Sequence, residues 1–160
     1  MEDSTPVTRA LQALNVPHRL FRHPGQVRSL EQAAQERGQK PDQIVRSIVF
    51  RLAQDNFIMV LITGERQVAW PALRSYLGQS RLTLASEEEV RAATGYPLGA
   101  VSPFGLPAPM RILVDQSVLD QEDISIGSGE RNSTVFLKVS DLLKTLSPVE
   151  FGSFAQEEAK

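Results

Sequence analysis

The sequence predicts a single mixed α/β domain built on a mixed β-sheet. At 160 residues, the chain is long enough for one core that buries roughly two thirds of its unfolded surface. Short strand patterns are interleaved with short helical patterns, without the strict alternation of a parallel α/β fold. The content of 41% hydrophobic and 22% charged residues is typical of a globular protein. We therefore expect one domain over residues 1–147 and a flexible tail over residues 148–160.

Capping residues mark the predicted helices. A Ser, Thr or Asp at the N-cap, with Pro or an acidic residue in the first turn, is a typical start of a helix. We expect helices to begin at Thr5–Pro6, Ser29, Pro71, Ser86 and Ser140. Glycines that can adopt a left-handed conformation end several of them.

The strand candidates differ in how their apolar residues alternate. Residues 57–63 are apolar on both faces, as expected of a central strand. In residues 45–52, Arg46 shares a face with Ile48 and Phe50. Shorter strands are expected at residues 16–22, 68–70, 82–84, 110–115, 124–126 and 134–139.

Composition excludes several classes of protein. The chain has no cysteine, which excludes disulfides, thiolate metal sites and cysteine nucleophiles and agrees with a reducing cytosol. The longest apolar run is far shorter than the ~20 residues that a membrane span needs, and the N-terminus lacks a secretory signal. We expect a soluble, cytoplasmic protein with no membrane partner.

The charge is small overall but unevenly distributed. A net charge of −2 argues against indiscriminate coating of nucleic acid. Residues 4–30 contain no acidic residue but do contain Arg9, Arg19, Arg22 and Arg28. These arginines either form a basic patch for an RNA end or are simply solvated, and the sequence leaves both interpretations open.

Common catalytic constellations are absent from the sequence. With only His18 and His23 and no paired ligand spacing, no metal site is expected. A Gly-x-Ser-x-Gly nucleophile elbow and a Walker lysine are missing, and the glycines at 127 and 129 lack the setting of a dinucleotide site. We therefore expect no metal and no cofactor.

Two glycine-containing segments remain as candidates for a site. Residues 95–106 hold three glycines, two prolines and no charge, so they predict a shaped loop. Such a loop either builds a pocket wall from peptide dipoles or is a turn-rich connection. Together with the turn Gly127-Ser128-Gly129, it could offer main-chain N–H groups to the oxyanion formed when water attacks an activated ester.

These segments also carry a resemblance. The Gly-x-x-x-Gly-Ala-Val-Ser-Pro-Phe-Gly-Leu loop, preceded by residues 43–51 and followed by residues 127–131, resembles the YbaK/ProX family of aminoacyl-tRNA editing domains. The resemblance extends from the first helix to Leu146. It implies a curved, largely antiparallel mixed sheet surrounded by short helices, with a pocket at one side.

The resemblance also implies a function. It is that of a trans-editing deacylase, which hydrolyses the ester of a mischarged tRNA such as Cys- or Ala-tRNA(Pro) without a metal. The partners implied are the 3′ end of an aminoacyl-tRNA and an aminoacyl-tRNA synthetase. The amino acid, the tRNA and the oligomeric state are left open by the sequence.

Matching the family residue by residue assigns candidate site residues. The family carries a lysine, required for deacylation, where this chain has Arg46, and arginine is not a conservative replacement. The candidate catalytic set is Arg46, Gly99, Ala100 and Ser128. The candidate substrate-binding set is His23, Tyr96, Val101, Ser102, Pro103, Phe104, Gly127 and Gly129.

Other interpretations of these residues stay open. Arg46 could instead reach solvent from the end of a strand. His23 could be a hydrogen-bonded structural histidine, and Phe104 a core residue. Tyr96 is expected either to stack on a base or to cap the pocket. Because of Arg46, the alternative function is a non-catalytic module that binds aminoacyl-tRNA, a synthetase or a small amino-acid-like ligand.

Overall fold

The computed structural model describes residues 3–53 and 55–157. Within these ranges the α-helices are α1 Pro6–Ala13, α2 Leu30–Arg37, α3 Trp70–Leu77, α4 Glu87–Thr94, α5 Gln116–Leu119 and α6 Val139–Leu146. The strands are β1 Arg19–Arg22, β2 Val45–Ala53, β3 Asn56–Thr63, β4 Thr83–Leu84, β5 Arg111–Asp115, β6 Asp123–Gly127, β7 Ser133–Lys138 and β8 Glu150–Gly152. None of the helices described here has both the length and the apolar character to cross a bilayer.

Local capping interactions start most of the helices as predicted. The side chains of Thr5, Ser29 and Ser86 each accept a hydrogen bond from the backbone N–H three residues later. The last helix differs, because α6 begins at Val139 and Ser140 lies inside its first turn. The short helix α5 is not predicted from the sequence.

The mixed α/β class is confirmed, but the strands form two sheets. One sheet has the order β4-β2-β3-β5-β8, with β2 antiparallel to β3 and β3 parallel to β5. The other is antiparallel, with the order β1-β7-β6. Among the described residues, one parallel bridge, between Ile44 and Ser125, links the two sheets. This bridge brings the start of β2 beside β6, where the candidate site forms.

Strand β3 lies at the centre of the fold, as its sequence predicts. Met59 and Leu61 belong to one buried cluster, which also receives α1, α4 and α6. Ile58, Val60 and Ile62 belong to the other, which contains Leu73 of α3. Alternate residues of one strand therefore feed two separate cores.

The predicted flexible tail is wrong for the described residues after 147. Strand β8 pairs in parallel with β5, and Phe154 is 1% exposed in the second core. The N–H of Phe154 donates to Oδ1 of Asp115 at 2.7 Å. The predicted strand at residues 68–70 is reduced to one bridge, between Val68 and Ala155. Residues 158–160 lie outside the described residues.

The first prediction concerns this C-terminal anchor. Phe154→Ala should lower the free energy of unfolding by about 3–5 kcal/mol, because it removes a buried aromatic ring from the core. The matched control is Phe151→Ala in the same segment, whose ring is 49% exposed and should cost about 1 kcal/mol or less. Urea unfolding of both variants tests this. Equal losses would show that the segment does not anchor the fold.

Candidate functional site

Two cavities meet along one edge of β2. The first has a volume of about 370 Å³ and the second about 250 Å³. We call the residues that line both cavities the junction; they are Arg46, Ser47, Ile48 and Val101. The cavities therefore form one groove with two ends, and this groove is the candidate site.

The groove exists because β2 is only partly paired on this edge. Strand β4 pairs with β2 at Phe50 and Arg51, and Ala85 donates its N–H to the carbonyl of Val49 at 3.0 Å. Backbone groups of a strand alternate between its two edges, so those of Ser47 face the same edge as those of Val49. Ser47 pairs with β3 on the opposite edge, but on the β4 edge no described strand pairs with it. Its main-chain N–H and C=O therefore lie at an open sheet edge.

The hydroxyl of Ser47 has no partner either. In the part of the chain that the structure describes, it is the one buried side-chain N or O atom without a hydrogen bond. Leaving a buried hydroxyl unpaired costs about 1–3 kcal/mol, and such a group in a native protein is expected to serve a ligand or water. Sequence reasoning missed this residue because a serine in a strand carries no distinctive pattern.

The first cavity is mainly apolar. Phe50 and Trp70 pack edge to face, with ring centroids 5.0 Å apart, and both line it. Leu84 and Leu98 also line it and remain 54% and 43% exposed. A cavity with an aromatic wall and an apolar rim suits a flat ring or a small apolar side chain.

The second cavity carries two cationic side chains and several hydroxyl groups. Arg37 and Arg46 both line it, together with the hydroxyl residues Ser125, Ser133 and Thr134. No Asp or Glu is among its lining residues. Arg37 was not singled out from the sequence, because one more arginine on an amphipathic helix is not a signal of a site.

Arg46 lies in the groove and is bonded to main chain. Its Nε donates to the carbonyl of Gly64 at 2.7 Å, and its Nη2 donates to the carbonyl of Arg66. Burial lowers the pKa of Arg46, and the charge of Glu65 acts in the opposite direction. Arg46 is therefore not an arginine that merely extends from a strand end into solvent.

In residues 95–106, which we call the central loop, some N–H groups donate hydrogen bonds within the protein and others do not. The N–H of Ala100 donates to Pro97 O at 3.1 Å, and that of Gly129 donates to Ala100 O at 3.0 Å. Among the described residues, the N–H groups of Gly99 and Val101 donate no hydrogen bond to the protein. Gly99 lines the second cavity and Val101 the junction. Ala100 and Gly129 line neither cavity, and both N–H groups are already paired. The expectation that these two N–H groups are oxyanion donors is therefore wrong.

Gly127 permits the closest approach between the loop and the second sheet. A Cβ atom at this position would lie 2.8 Å from the carbonyl carbon of Ala100 and would also clash with the carbonyl of Val101. Both are backbone atoms, which cannot move aside as a flexible side chain does. Glycine is required here because there is no room for a Cβ atom, and not because of a left-handed backbone conformation. Gly127 also lines the second cavity.

A known protein family matches the part of the chain that contains these segments. The sequence model of the aminoacyl-tRNA editing domain matches residues 24–145, a range that contains Arg46, the central loop and the Gly127 turn. The chain belongs to the aminoacyl-tRNA editing domain family.

Curated relatives of the editing domain are much longer proteins. The chain is 30% identical to the proline–tRNA ligase of Thermosipho melanesiensis over 110 residues, which cover 69% of this chain and 19% of the relative. It is 30% identical to that of Kosmotoga olearia over 127 residues, which cover 79% and 21%. The chain thus spans about a fifth of the length of these relatives.

A solved structure shows the same fold. It is that of a protein proposed as a trans-editing enzyme for prolyl-tRNA synthetase, and it superposes with a TM-score of 0.86 at 24% identity. The superposition covers 95% of this chain and 96% of that chain. This likeness establishes the YbaK/ProX-type fold of the editing domain.

Several predicted substrate-binding residues lie elsewhere in the editing domain. Tyr96 is 3% exposed, and its hydroxyl donates to Phe104 O at 2.5 Å, so base stacking or capping of the pocket by Tyr96 is wrong. Phe104 is a core residue. Ser102 is buried and accepts the N–H of Phe104 at 3.1 Å. Pro103 lines a separate groove beside β5 and α6.

Ser128 stabilises the turn through its hydrogen bonds and lines neither cavity. Its hydroxyl donates to Glu130 O at 2.9 Å and lies 2.5 Å from Oγ of Ser133. Its carbonyl accepts the N–H of Val7 at 3.2 Å. These bonds fix the turn between β6 and β7, and they leave the Ser128 side chain without access to the groove.

His23 has the structural role that was left open. Its side chain is fully buried, with Nδ1 2.6 Å from Oε1 of Glu36 and Nε2 3.0 Å from Nε of Arg37. Because a guanidinium only donates, Nε2 accepts and Nδ1 carries the proton given to Glu36. His23 thus contacts the groove through Arg37. Burial lowers the pKa of Arg37 to about 10, so Arg37 remains charged at neutral pH.

The basic N-terminal residues are not part of the groove. Arg22 pairs with Asp3 at 2.6 Å and Glu130 at 3.3 Å, and Arg19 lies over the ring of Phe136 at 4.4 Å. Neither arginine lines either cavity. Across the described residues, no three His, Cys, Asp or Glu side chains are grouped as metal ligands.

The second prediction tests the close approach at Gly127. Gly127→Ala should lower the free energy of unfolding by about 1–3 kcal/mol, because the added methyl group meets fixed backbone. Gly25→Ala is the matched control, since a Cβ there has nothing within 4 Å and the φ angle is not positive; its effect should stay within about 0.5 kcal/mol. Urea unfolding midpoints provide the measurement. A tolerated Gly127→Ala would mean that the loop can withdraw from β6.

Proposed function

We propose that the chain is an aminoacyl-tRNA deacylase that acts in trans on the ester of a mischarged tRNA, with Cys- or Ala-tRNA(Pro)-like substrates. The observation that carries the proposal is the junction. There, an arginine and an unpartnered serine hydroxyl share the groove wall with Val101, whose N–H is unpaired, as is the N–H of Gly99 in the adjoining second cavity. Similarity to proline–tRNA ligases supports tRNA(Pro) as the tRNA to test first.

The groove fits an ester placed at the junction. An aminoacyl ester is already activated, so water held near its carbonyl can attack it without a protein nucleophile. The unpaired N–H groups of Gly99 and Val101 supply donors for the developing oxyanion, and one such donor is typically worth about 10²- to 10³-fold in rate. Ser47 offers a hydroxyl and strand-edge main chain to hold the water. The two cavities would take the groups on either side of the ester.

Arg46 has a binding role in this proposal. A guanidinium cannot act as a general base, because it stays protonated and has no acceptor. Its bonds to Gly64 O and Arg66 O brace the segment after β3, next to Gln67 in the first cavity. Its charge at the junction would favour the developing oxyanion or a nearby phosphate.

One observation favours a second candidate, a non-catalytic binding module. Arg46 occupies the position where the resemblance places a lysine that deacylation requires, and two main-chain carbonyls already engage it. A braced arginine of this kind could preserve a ligand-binding groove after loss of hydrolysis. The ligands would be aminoacyl-tRNA, a synthetase or a small amino-acid-like molecule.

The third prediction separates these candidates. Ala-tRNA(Pro) and Cys-tRNA(Pro) are incubated with the isolated wild-type chain and with Arg46→Ala, and loss of the radiolabelled aminoacyl group is followed. We expect turnover by wild type and a loss of about 10²-fold or more in Arg46→Ala, because both the brace and the junction charge disappear. Arg51→Ala is the matched control on the same strand, since Arg51 pairs with Glu89 outside the groove and should keep full activity.

Arg46→Lys completes the series. If wild type is inert on both substrates and Arg46→Lys hydrolyses them, the groove is a silenced editing site and the binding module is favoured. If all of these proteins are inert while their unfolding midpoints match, the deacylase proposal fails.

The fourth prediction concerns Ser47. Ser47→Ala removes a buried hydroxyl that has no partner, so stability should be unchanged or slightly higher. Its kcat/KM for deacylation should fall by about tenfold or more, because the hydroxyl would no longer hold water or substrate. Ser140→Ala, at an exposed position of α6, should alter neither quantity. A Ser47→Ala variant that is less stable but fully active would assign the hydroxyl to the fold.

A further inference from the structure

Arg37 is a half-buried cation whose acidic neighbour, Glu36, acts on its charge through space. Its Nε donates to Nε2 of His23 at 3.0 Å, and its Nη1 donates to Oγ of Ser125 at 3.1 Å. Among the described residues, no carboxylate forms an ion pair with it and its Nη2 has no protein partner. The charge of Glu36 favours the charged form of Arg37 through space, but a buried charge without a direct ion pair is costly, so a ligand anion in this cavity would stabilise Arg37 further.

The guanidinium of Arg37 is held in place before any ligand arrives. His23 accepts from it and donates to Glu36, whose other oxygen accepts from Nε2 of Gln32 at 2.8 Å. The ring of His23 also packs edge to face on Phe21, with centroids 5.0 Å apart. A donor fixed in this way loses little entropy when it binds, which increases its contribution to affinity.

The charged donors of the second cavity are its two arginines. The hydroxyls beside Arg37 donate within the protein: Ser125 to Oε1 of Gln39 at 3.0 Å, and Thr134 to Ile126 O at 2.7 Å. Ser133 likewise donates within the protein, to Glu130 O at 2.9 Å or to Oγ of Ser128 at 2.5 Å. Apart from the Ser47 hydroxyl and the N–H groups of Gly99 and Val101, which the proposed function assigns to the ester, the donors that remain for a ligand belong to the two guanidinium groups, whose planar fork matches an oxoanion.

We propose that the second cavity is an oxoanion site, in which Arg37 binds a phosphate or carboxylate of the ligand and His23 acts as a positioning residue for Arg37. The inference rests on the proposed function for the identity of the ligand, the charged 3′ end of a tRNA. Two groups there carry this chemistry: the phosphate on the 5′ side of the terminal adenosine, and the side-chain carboxylate of an attached Asp or Glu.

Four stable analogues distinguish these sources. Each is 3′-amino-3′-deoxyadenosine joined by an amide bond to Asp or to the nearly isosteric Asn, with or without a 5′-phosphate. Affinities for the wild-type chain and for Arg37→Gln are measured by calorimetry. We expect one of the two groups to strengthen binding to wild type by about tenfold or more, and Arg37→Gln to abolish that preference. A preference for the 5′-phosphate identifies the backbone as the source, and one for Asp over Asn identifies the side chain.

The quantity compared is the ratio of two affinities of one protein, for the analogue with the oxoanion and for the analogue without it. Partial unfolding of a variant lowers both affinities alike and leaves this ratio unchanged. Arg28→Gln, which removes an exposed arginine just before α2, should keep the wild-type ratio. His23→Phe retains a ring but loses the acceptor, and should reduce the ratio; an unchanged ratio would overturn the positioning role.

The failure of this inference differs from failure of the proposed function. Analogues that bind wild type with no preference for either oxoanion, or a preference that persists in Arg37→Gln, would overturn the oxoanion site while deacylation still stands. If wild type binds none of the analogues and is also inert on charged tRNA, both proposals fail together.

Discussion

The groove depends on one steric constraint, the contact of Gly127 with the main chain of Ala100 and Val101. A hydrogen bond from Gly129 to Ala100 O pins the same two segments together. Because Gly127 ends β6, this contact attaches the uncharged loop to the smaller sheet. The bridge between Ile44 and Ser125 then places that sheet beside the open edge of β2. Three segments distant in the sequence thus form the walls of one groove, and a single methyl group at position 127 would separate two of them.

The fold was predictable where the deciding interaction is local. Ser29 and Ser86 cap helices through bonds to residues three positions away, and the uninterrupted apolar run of β3 is sufficient to place it at the centre. The C-terminal segment was not predictable in this way. Its three-residue strand is too short to carry a pattern, and Phe154 is anchored by Asp115, 39 residues earlier in the chain. Such long-range partners leave no trace in local periodicity.

The candidate site shows the same division. Glycine and proline in the loop indicate a shaped main chain, and the positions whose backbone matters, Gly99 and Gly127, do line the groove. The same pattern says nothing about which side chains face inward. Tyr96 bonds to the carbonyl of Phe104 and so stabilises the loop from the core side. Ser47 reaches the groove because β2 lacks a partner strand there, and Arg37 reaches it beside Ser125 of β6, to which it donates; both depend on how the sheets assemble.

The hydrogen bonds of Arg46 explain how an arginine can occupy a position where the resemblance implies a lysine. The ammonium group of a lysine is a compact point charge, whereas the guanidinium of Arg46 reaches two carbonyls at once and braces the Gly64–Arg66 segment. Two of its donor groups, Nε and Nη2, are therefore already hydrogen-bonded within the protein. In the second cavity, Nη2 of Arg37 makes no hydrogen bond to the described part of the protein. His23 accepts from Nε of Arg37 and so orients the guanidinium. The two arginines of the groove therefore differ: Arg46 donates to two main-chain carbonyls of the wall, whereas Arg37 donates to two side chains.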